Sequence, residues 1–122
     1  MDRHLSPPEV IASLQQGRFL VVGRAGMDLY PEPAGTRITE ALSFVADLGG
    51  SAGNIAVAIA RHGKVACLVS VLSDDAVGRF VASKLSHYGV ATDHLHFTDE
   101  PMTRSSLAIA ESRPDDEDVV IY

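Results

Sequence analysis

The sequence has only one cysteine, Cys67, so the chain cannot form an internal disulfide bond. Disulfides are rare in reducing compartments, and this usage predicts a cytoplasmic protein in which Cys67 is a core residue. No apolar run approaches the roughly 20 residues of a membrane-spanning helix, and residues 1–4 lead into prolines rather than into the apolar segment of a signal peptide. The sequence therefore predicts no membrane partner.

Basic residues are also scarce in this sequence. Lys and Arg number 10 against 16 Asp and Glu, which gives a formal net charge of -6. An acidic balance disfavours non-specific binding to nucleic acid, so no nucleic-acid partner is expected. With 122 residues, 46% of them hydrophobic, the chain is long enough for one compact domain or for part of a larger one.

The most distinctive stretch is the glycine-rich turn and apolar run at 49–63. Gly49 and Gly50 permit a sharp turn and the close approach of a ligand, and the following run of Ala, Val and Ile predicts a helix buried on nearly every side. Free N–H groups at a helix start attract oxygen-rich ligands, and the Asn54 amide can both donate to and accept from hydroxyls. We interpret this stretch as a ligand-facing turn that leads into a core helix.

Nucleotide-binding patterns do not fit this turn. A Walker A loop requires a Lys that is absent here, and neither Gly23-x-x-Gly26 nor Gly50-x-x-Gly53 matches the Gly-x-Gly-x-x-Gly dinucleotide pattern. From the residues alone, the turn is compatible with any polyol or anion, or with a purely structural connection between strand and helix.

Two apolar segments, 18–23 and 64–72, flank the predicted helix and indicate a parallel βαβ unit whose strands are buried on both faces. Asp28 follows the first of these strands. Because open α/β sheets bind ligands beyond the carboxyl ends of their strands, Asp28 is a candidate binding residue. The alternative interpretation is that Asp28 caps a turn.

The remaining patterns predict two more helices and a hairpin. Ser6-Pro7-Pro8-Glu9 starts a helix that ends at Gly17, and Ser73-Asp74-Asp75 precedes a helix that ends at Gly89. Further elements predicted from the patterning are a loop at 32–39, strands at 41–48 and 90–97, and a hairpin at 103–122 with an acidic turn. The chain stops within the last strand of this hairpin, so we expect a truncated sequence.

Metal-binding patterns are weak. His94-x-His96 places two imidazoles on one face of a strand, and 115–118 is an acidic run, but neither has the further ligands or the spacing of a zinc or calcium site. We therefore expect no metal site in this chain. No Ser/His/Asp or Cys/His combination indicates a catalytic residue.

Several of these segments, in this order, resemble the PfkB/ribokinase family of sugar kinases. Residues 49–63 resemble the first signature of the family, and Ser73-Asp74-Asp75-Ala76-Val77-Gly78-Arg79-Phe80 resembles its Gly-Asp-Asp-x-Phe-Gly segment. Residues 23–31, the Thr103 segment and the turn at 114–116 are most similar to members that act on a keto-deoxy sugar acid of inositol catabolism. The resemblance covers roughly 19–122.

This resemblance implies an α/β fold: a ribokinase-like doubly wound (Rossmann-like) sheet with a small β lid. Residues 1–122 would form its N-terminal part, with lid segments at about 29–48 and 97–122. The resemblance also assigns a sugar site. Asp28 would hydrogen-bond sugar hydroxyls, Arg104 would lie on a lid strand that closes over the sugar, and the wall would consist of Gly49, Gly50 and Asn54.

The reaction that the resemblance implies is transfer of the ATP γ-phosphoryl group to a primary hydroxyl. Family members use an Asp base, a glycine-rich anion hole and Mg²⁺, and the Gly-x-Gly-Asp segment that carries the base has no match in this sequence. We expect the complete protein to use ATP and Mg²⁺, and this chain alone to be inactive and to bind neither. Ser73 stands where the family usually has Gly, which is expected to alter a turn but not the chemistry.

Two other functions stay open. The chain could be a non-catalytic truncated module that binds a sugar or dimerises, or it could belong to a nucleoside kinase of the same family. The expected partner is a small-molecule sugar or sugar acid. Half of a doubly wound sheet leaves an edge strand and an apolar face uncovered, so we also expect self-association, as a homodimer or larger, through the sheet edge or the lid strands.

Overall fold

Two β-sheets and three helices make up the computed structural model, which describes residues 6–112 and 119–122. Helices and strands alternate in the order expected for an α/β protein. In chain order, the elements are α1 (Pro7–Gln16), β1 (Arg18–Val22), β2 (Gly26–Glu32), β3 (Ser43–Gly49), α2 (Ser51–Arg61), β4 (Val65–Ser73), α3 (Ala76–His87), β5 (Leu95–Thr98), β6 (Ser106–Ser112) and β7 (Val119–Ile121).

The first sheet has the strand order β1-β4-β5, and all three strands are parallel. Strand β4 lies in the centre, and helices α2 and α3 precede and follow it in the chain. The predicted βαβ unit and the parallel sheet are therefore confirmed. The insertion of β2 and β3 between β1 and α2 places the start of α2 beside a second sheet.

Strand β1 is not buried on both faces, contrary to the prediction from its apolar run. Leu20 is 61% exposed and Val22 is 76% exposed. Within the described residues, β1 is an edge strand that pairs only with β4, and α2 packs against it. A continuous apolar run predicts two buried faces only where both faces are covered.

Helix α2 is likewise buried on one face rather than on nearly every side. Ala52, Gly53 and Ala56 are buried, whereas Ile55 is 53% exposed. The small residues let α2 lie close to β4, against which it packs. The prediction of a buried helix was wrong for the opposite face because no described element covers it.

The core lies between β4 and the helices α2 and α3. Leu68 and Leu72 of β4 are fully buried and form one cluster with Val81 and Leu85 of α3. Each such side chain contributes roughly 1.5–3 kcal/mol when it is removed from water. Cys67 is also fully buried, as predicted for a core residue.

Helix α3 begins and ends where the sequence predicted. The Asp75 carboxylate accepts a hydrogen bond of 3.0 Å from the Gly78 N–H, and Gly89 adopts a φ of 81° after the last turn. A side-chain oxygen at the N-terminus and a glycine after the C-terminus satisfy the free backbone groups at the two helix ends. The start of α3 is thereby fixed next to the end of β4.

The second sheet has the strand order β3-β2-β6-β7. Strand β2 is antiparallel to β3 and parallel to β6, and β6 and β7 form the predicted hairpin. Its turn falls partly at 113–118, outside the described residues. The second sheet starts at Gly26, before the expected lid segment at 29–48. Phe97 and Thr98 were expected in the lid segment at 97–122, but they lie at the end of β5 in the first sheet.

Candidate functional site

Asp28 lies in the middle of β2, on a strand that is paired on both sides. Its neighbours across the sheet are Asp47 of β3 and Ala108 of β6. The alternative interpretation of Asp28 as a turn cap was therefore wrong. The strand holds the Asp28 carboxylate in a fixed direction, which a binding residue requires.

The glycine turn meets Asp28 directly. A Cβ atom at Gly49 would overlap the Asp28 carboxyl group, so a larger residue at this position would displace that carboxyl group from the turn. Gly50 has a φ of 86°, and a Cβ there would lie 2.6 Å from the Arg24 carbonyl oxygen. The two glycines thus bring the carboxylate and the N-terminus of α2 together.

Tyr30 is a further polar residue at this place that the sequence analysis missed. Its hydroxyl donates to Asp28 Oδ2 at 3.4 Å. Burial raises the pKa of the Tyr30 hydroxyl, and the negative charge of Asp28 raises it further. Residues two apart in a strand share a face, so recognition of β2 as a strand would have indicated Tyr30.

Asn54 lies in the first turn of α2, where its backbone N–H donates to the Gly50 carbonyl at 3.0 Å. Asn54 also borders a cavity of about 240 Å³, whose other lining residues are Asp47, Leu48, Val57, Arg61 and Tyr88.

Asp47 joins β3 to α3 at this cavity. Its carboxylate accepts hydrogen bonds from the Tyr88 hydroxyl at 2.8 Å and from the Leu48 N–H at 2.7 Å, and it lies 3.3 Å from Lys84 Nζ. Burial alone would raise the pKa of Asp47, but these donors together hold it below its usual value. The Asp47 carboxylate is therefore hydrogen-bonded within the protein, whereas among the described residues the Asp28 carboxylate accepts one hydrogen bond, the long contact from Tyr30.

Arg104 lies just before β6, in an exposed position. Its charge acts on Asp75, whose pKa is lowered first by the hydrogen bond from the Gly78 N–H, then by that from Ser73, and also by Arg104. Along the chain, Arg104 is four positions before Ala108, the neighbour of Asp28. The structure thus places Arg104 near the start of α3.

Ser73, the departure from the family pattern, is fully buried at the end of β4. Its hydroxyl oxygen lies 3.0 Å from the Ser105 hydroxyl and accepts from the Ser105 N–H at 2.9 Å. The Ser73 N–H in turn donates to the Ser105 hydroxyl oxygen at 2.9 Å. This contact joins the first sheet to the segment that carries Arg104.

Metal ligands do not cluster in the part of the chain that the structure describes: no three His, Cys, Asp or Glu residues are placed to share an ion. His94 and His96 border an open groove that is also lined by Arg24 and by residues of β1 and β4. In the same described residues, no helix is long and apolar enough to cross a membrane.

A comparison with protein-family models matches residues 16–122 to the pfkB family carbohydrate kinases. The chain belongs to this family. The match includes the glycine turn, Asp28 and Arg104, so the segments that carried the resemblance all lie within it. The ribokinase-like α/β fold, present here as its N-terminal part, agrees with this membership.

Individual pfkB relatives support the same assignment. The chain is 40% identical over 113 residues to the 5-dehydro-2-deoxygluconokinase of Photobacterium profundum, covering 90% of this chain and 34% of that protein. Its structure matches the 2-dehydro-3-deoxygluconokinase of Thermotoga maritima with a TM-score of 0.78 and 25% identity, over 86% of this chain and 31% of that one. It also matches the fructokinase of Xylella fastidiosa with bound ATP, with a TM-score of 0.67 and 28% identity. This match covers 86% of this chain and 30% of the fructokinase chain. The chain spans about a third of the length of these relatives.

Proposed function

We propose that this chain supplies the sugar-binding part of a kinase that transfers the ATP γ-phosphoryl group to a primary hydroxyl of a keto-deoxy sugar acid of the 5-dehydro-2-deoxygluconate type. The observation that carries the proposal is the direct approach of the Asp28 carboxylate to Gly49 at the start of α2. The similarity to 5-dehydro-2-deoxygluconokinase supports the choice of substrate.

In the proposed complex, the chain's own residues bind and orient the sugar. The Asp28 carboxylate accepts hydrogen bonds from hydroxyls, and the free N–H groups at the start of α2 donate to sugar oxygens. Arg104 pairs with the carboxylate of the sugar acid, for which its planar guanidinium is well matched. Correct orientation of the acceptor hydroxyl supplies a large part of the rate enhancement in such transfers.

ATP and Mg²⁺ are proposed as the cofactors of the complete protein, where they supply the phosphoryl group and neutralise its charge. The Xylella fructokinase, which has bound ATP, supports this proposal. No Gly-x-Gly-Asp segment occurs in residues 1–122, so we assign no catalytic residue within them. The complete protein is proposed to act in the cytoplasm, and this chain alone is proposed to be inactive.

A neutral sugar is the second candidate substrate, because the chain is also similar to fructokinases. The experiment measures ATP-dependent phosphorylation by the complete natural protein that contains this chain, with 5-dehydro-2-deoxygluconate, fructose and a nucleoside as separate acceptors. We expect the highest kcat/KM for the sugar acid. A preference for fructose or for the nucleoside would refute the proposed substrate, and no phosphorylation of any acceptor would favour a non-catalytic module.

Self-association of the 122-residue chain is a separate proposal. The exposed apolar residues Leu20 and Val22 of edge strand β1 form one candidate surface, and Ile121 of β7 lies on the other. Light scattering after size exclusion should give a dimer or larger species, because water is excluded when apolar edges pair. Val22→Lys should yield a monomer if β1 forms the interface, and Ile121→Lys if β7 does. A monomeric wild-type chain with a cooperative melt would contradict the proposal.

A further inference from the structure

Three hydrogen-bond contacts hold Ser105 against the end of β4. The Ser73 N–H donates to Ser105 Oγ, the Ser105 N–H donates to Ser73 Oγ, and the two hydroxyl oxygens lie 3.0 Å apart. The Ser73 hydroxyl also contributes to the lowered pKa of Asp75 at the start of α3. Ser73 has no exposed surface, so water does not replace these partners readily.

The neighbouring residue Ser106 is held from the opposite side. It pairs with Gly26 of β2, and a Cβ atom at Gly26 would overlap Ser106 Oγ. The chain around Ser105 therefore lies tightly between β4 of the first sheet and β2 of the second. Gly78 closes the remaining side, since a Cβ there would lie 3.3 Å from Ser105 Oγ.

Arg104 directly precedes this fixed point. In the proposed complex, the sugar acid binds Asp28 through its hydroxyls and the Arg104 guanidinium through its carboxylate. A flexible backbone at residue 104 would lose much of this directed contact.

We propose that the Ser73–Ser105 pair positions Arg104 for the carboxylate of the substrate. This inference rests on the proposed sugar-acid function and adds two positioning residues that act through Arg104 rather than on the substrate. Serine at position 73 gives Ser105 a side-chain hydroxyl partner, which glycine, usual at this place in the family, lacks.

The test is a double-mutant cycle in the complete natural protein, with the KM for 5-dehydro-2-deoxygluconate as the readout. Arg104→Gln is expected to raise this KM about 100-fold, because it removes a paired charge. Ser105→Ala should raise it about tenfold, with kcat within about twofold. In the Arg104→Gln background, Ser105→Ala should change KM by less than about twofold, because the serine acts through the arginine.

Controls separate positioning from general stability. Ser105→Thr retains the hydroxyl and should restore most of the affinity, and Ser83→Ala, at an exposed position of α3, should leave KM unchanged. Independent, multiplying effects of the Arg104 and Ser105 substitutions would overturn the positioning role while the sugar-acid function stands. A wild-type protein that does not phosphorylate the sugar acid would overturn both.

Discussion

Asp28→Asn is expected to lower the kcat/KM of the complete protein for its sugar by about 10³. The asparagine keeps the shape of the side chain but removes the charge of the proposed acceptor of two sugar hydroxyl hydrogen bonds, each worth about 1.5–3 kcal/mol. Within the part of the chain that the structure describes, the Asp28 carboxylate accepts one long hydrogen bond, at 3.4 Å from Tyr30. The free energy of unfolding should therefore change by less than about 0.5 kcal/mol.

The matched control for Asp28 is its direct cross-strand neighbour. Asp47 accepts hydrogen bonds from Tyr88 and Leu48 and pairs with Lys84, all within the protein. Asp47→Asn should lower the free energy of unfolding by about 1 kcal/mol, a value reduced by its partial exposure, and should leave kcat/KM nearly unchanged. Equal losses of activity in both variants would show that Asp28 has no special part in binding.

Gly78→Ala is expected to destabilise the protein by about 2 kcal/mol, although the same substitution in an exposed helix stabilises by up to about 1 kcal/mol. Gly78 is buried in the first turn of α3, and the added methyl group would overlap the Ser73 carbonyl oxygen. This carbonyl belongs to the end of β4 and cannot move away without a shift of the strand.

Urea unfolding measures this effect, with Ser83→Ala as the reference. Ser83 lies on the exposed side of the same helix, so its replacement should change the free energy of unfolding by less than about 0.5 kcal/mol. If Gly78→Ala were as stable as wild type or more stable, the close packing of α3 on β4 would not hold in solution.

Local signals made most of the first sheet predictable. Asp75 and Gly89 mark the ends of α3, and the apolar run that ends at Leu72 marks β4. These helix ends and this strand were predictable because the local backbone conformation there depends on residues that are adjacent in the sequence. The exposure of Val22 was not predictable in this way, because burial of a strand depends on which distant elements cover it. The same limit applies to the exposed face of α2.

Strand β2 shows why part of the candidate site was missed. Gly26 and Pro31 within it resemble turn residues, yet Pro31 pairs only with Phe44, since β6 pairs with β2 no further than Leu29. A proline is tolerated where no partner needs its missing N–H. The sequence placed Asp28 near the glycine turn, but Tyr30 and the contact between Ser73 and Ser105 depend on pairings between distant segments.

The parallel pairing of β2 with β6 has a consequence for the order of folding during synthesis. Strand β2 can pair with β3 as soon as both have left the ribosome, but its other edge waits until residues 106–109 emerge, after α2, β4, α3 and β5. Such long-range pairing slows folding and leaves an unpaired strand edge accessible to other chains meanwhile. Strand β2, which carries Asp28, therefore gains its second partner late, and until then its free edge can pair with other chains.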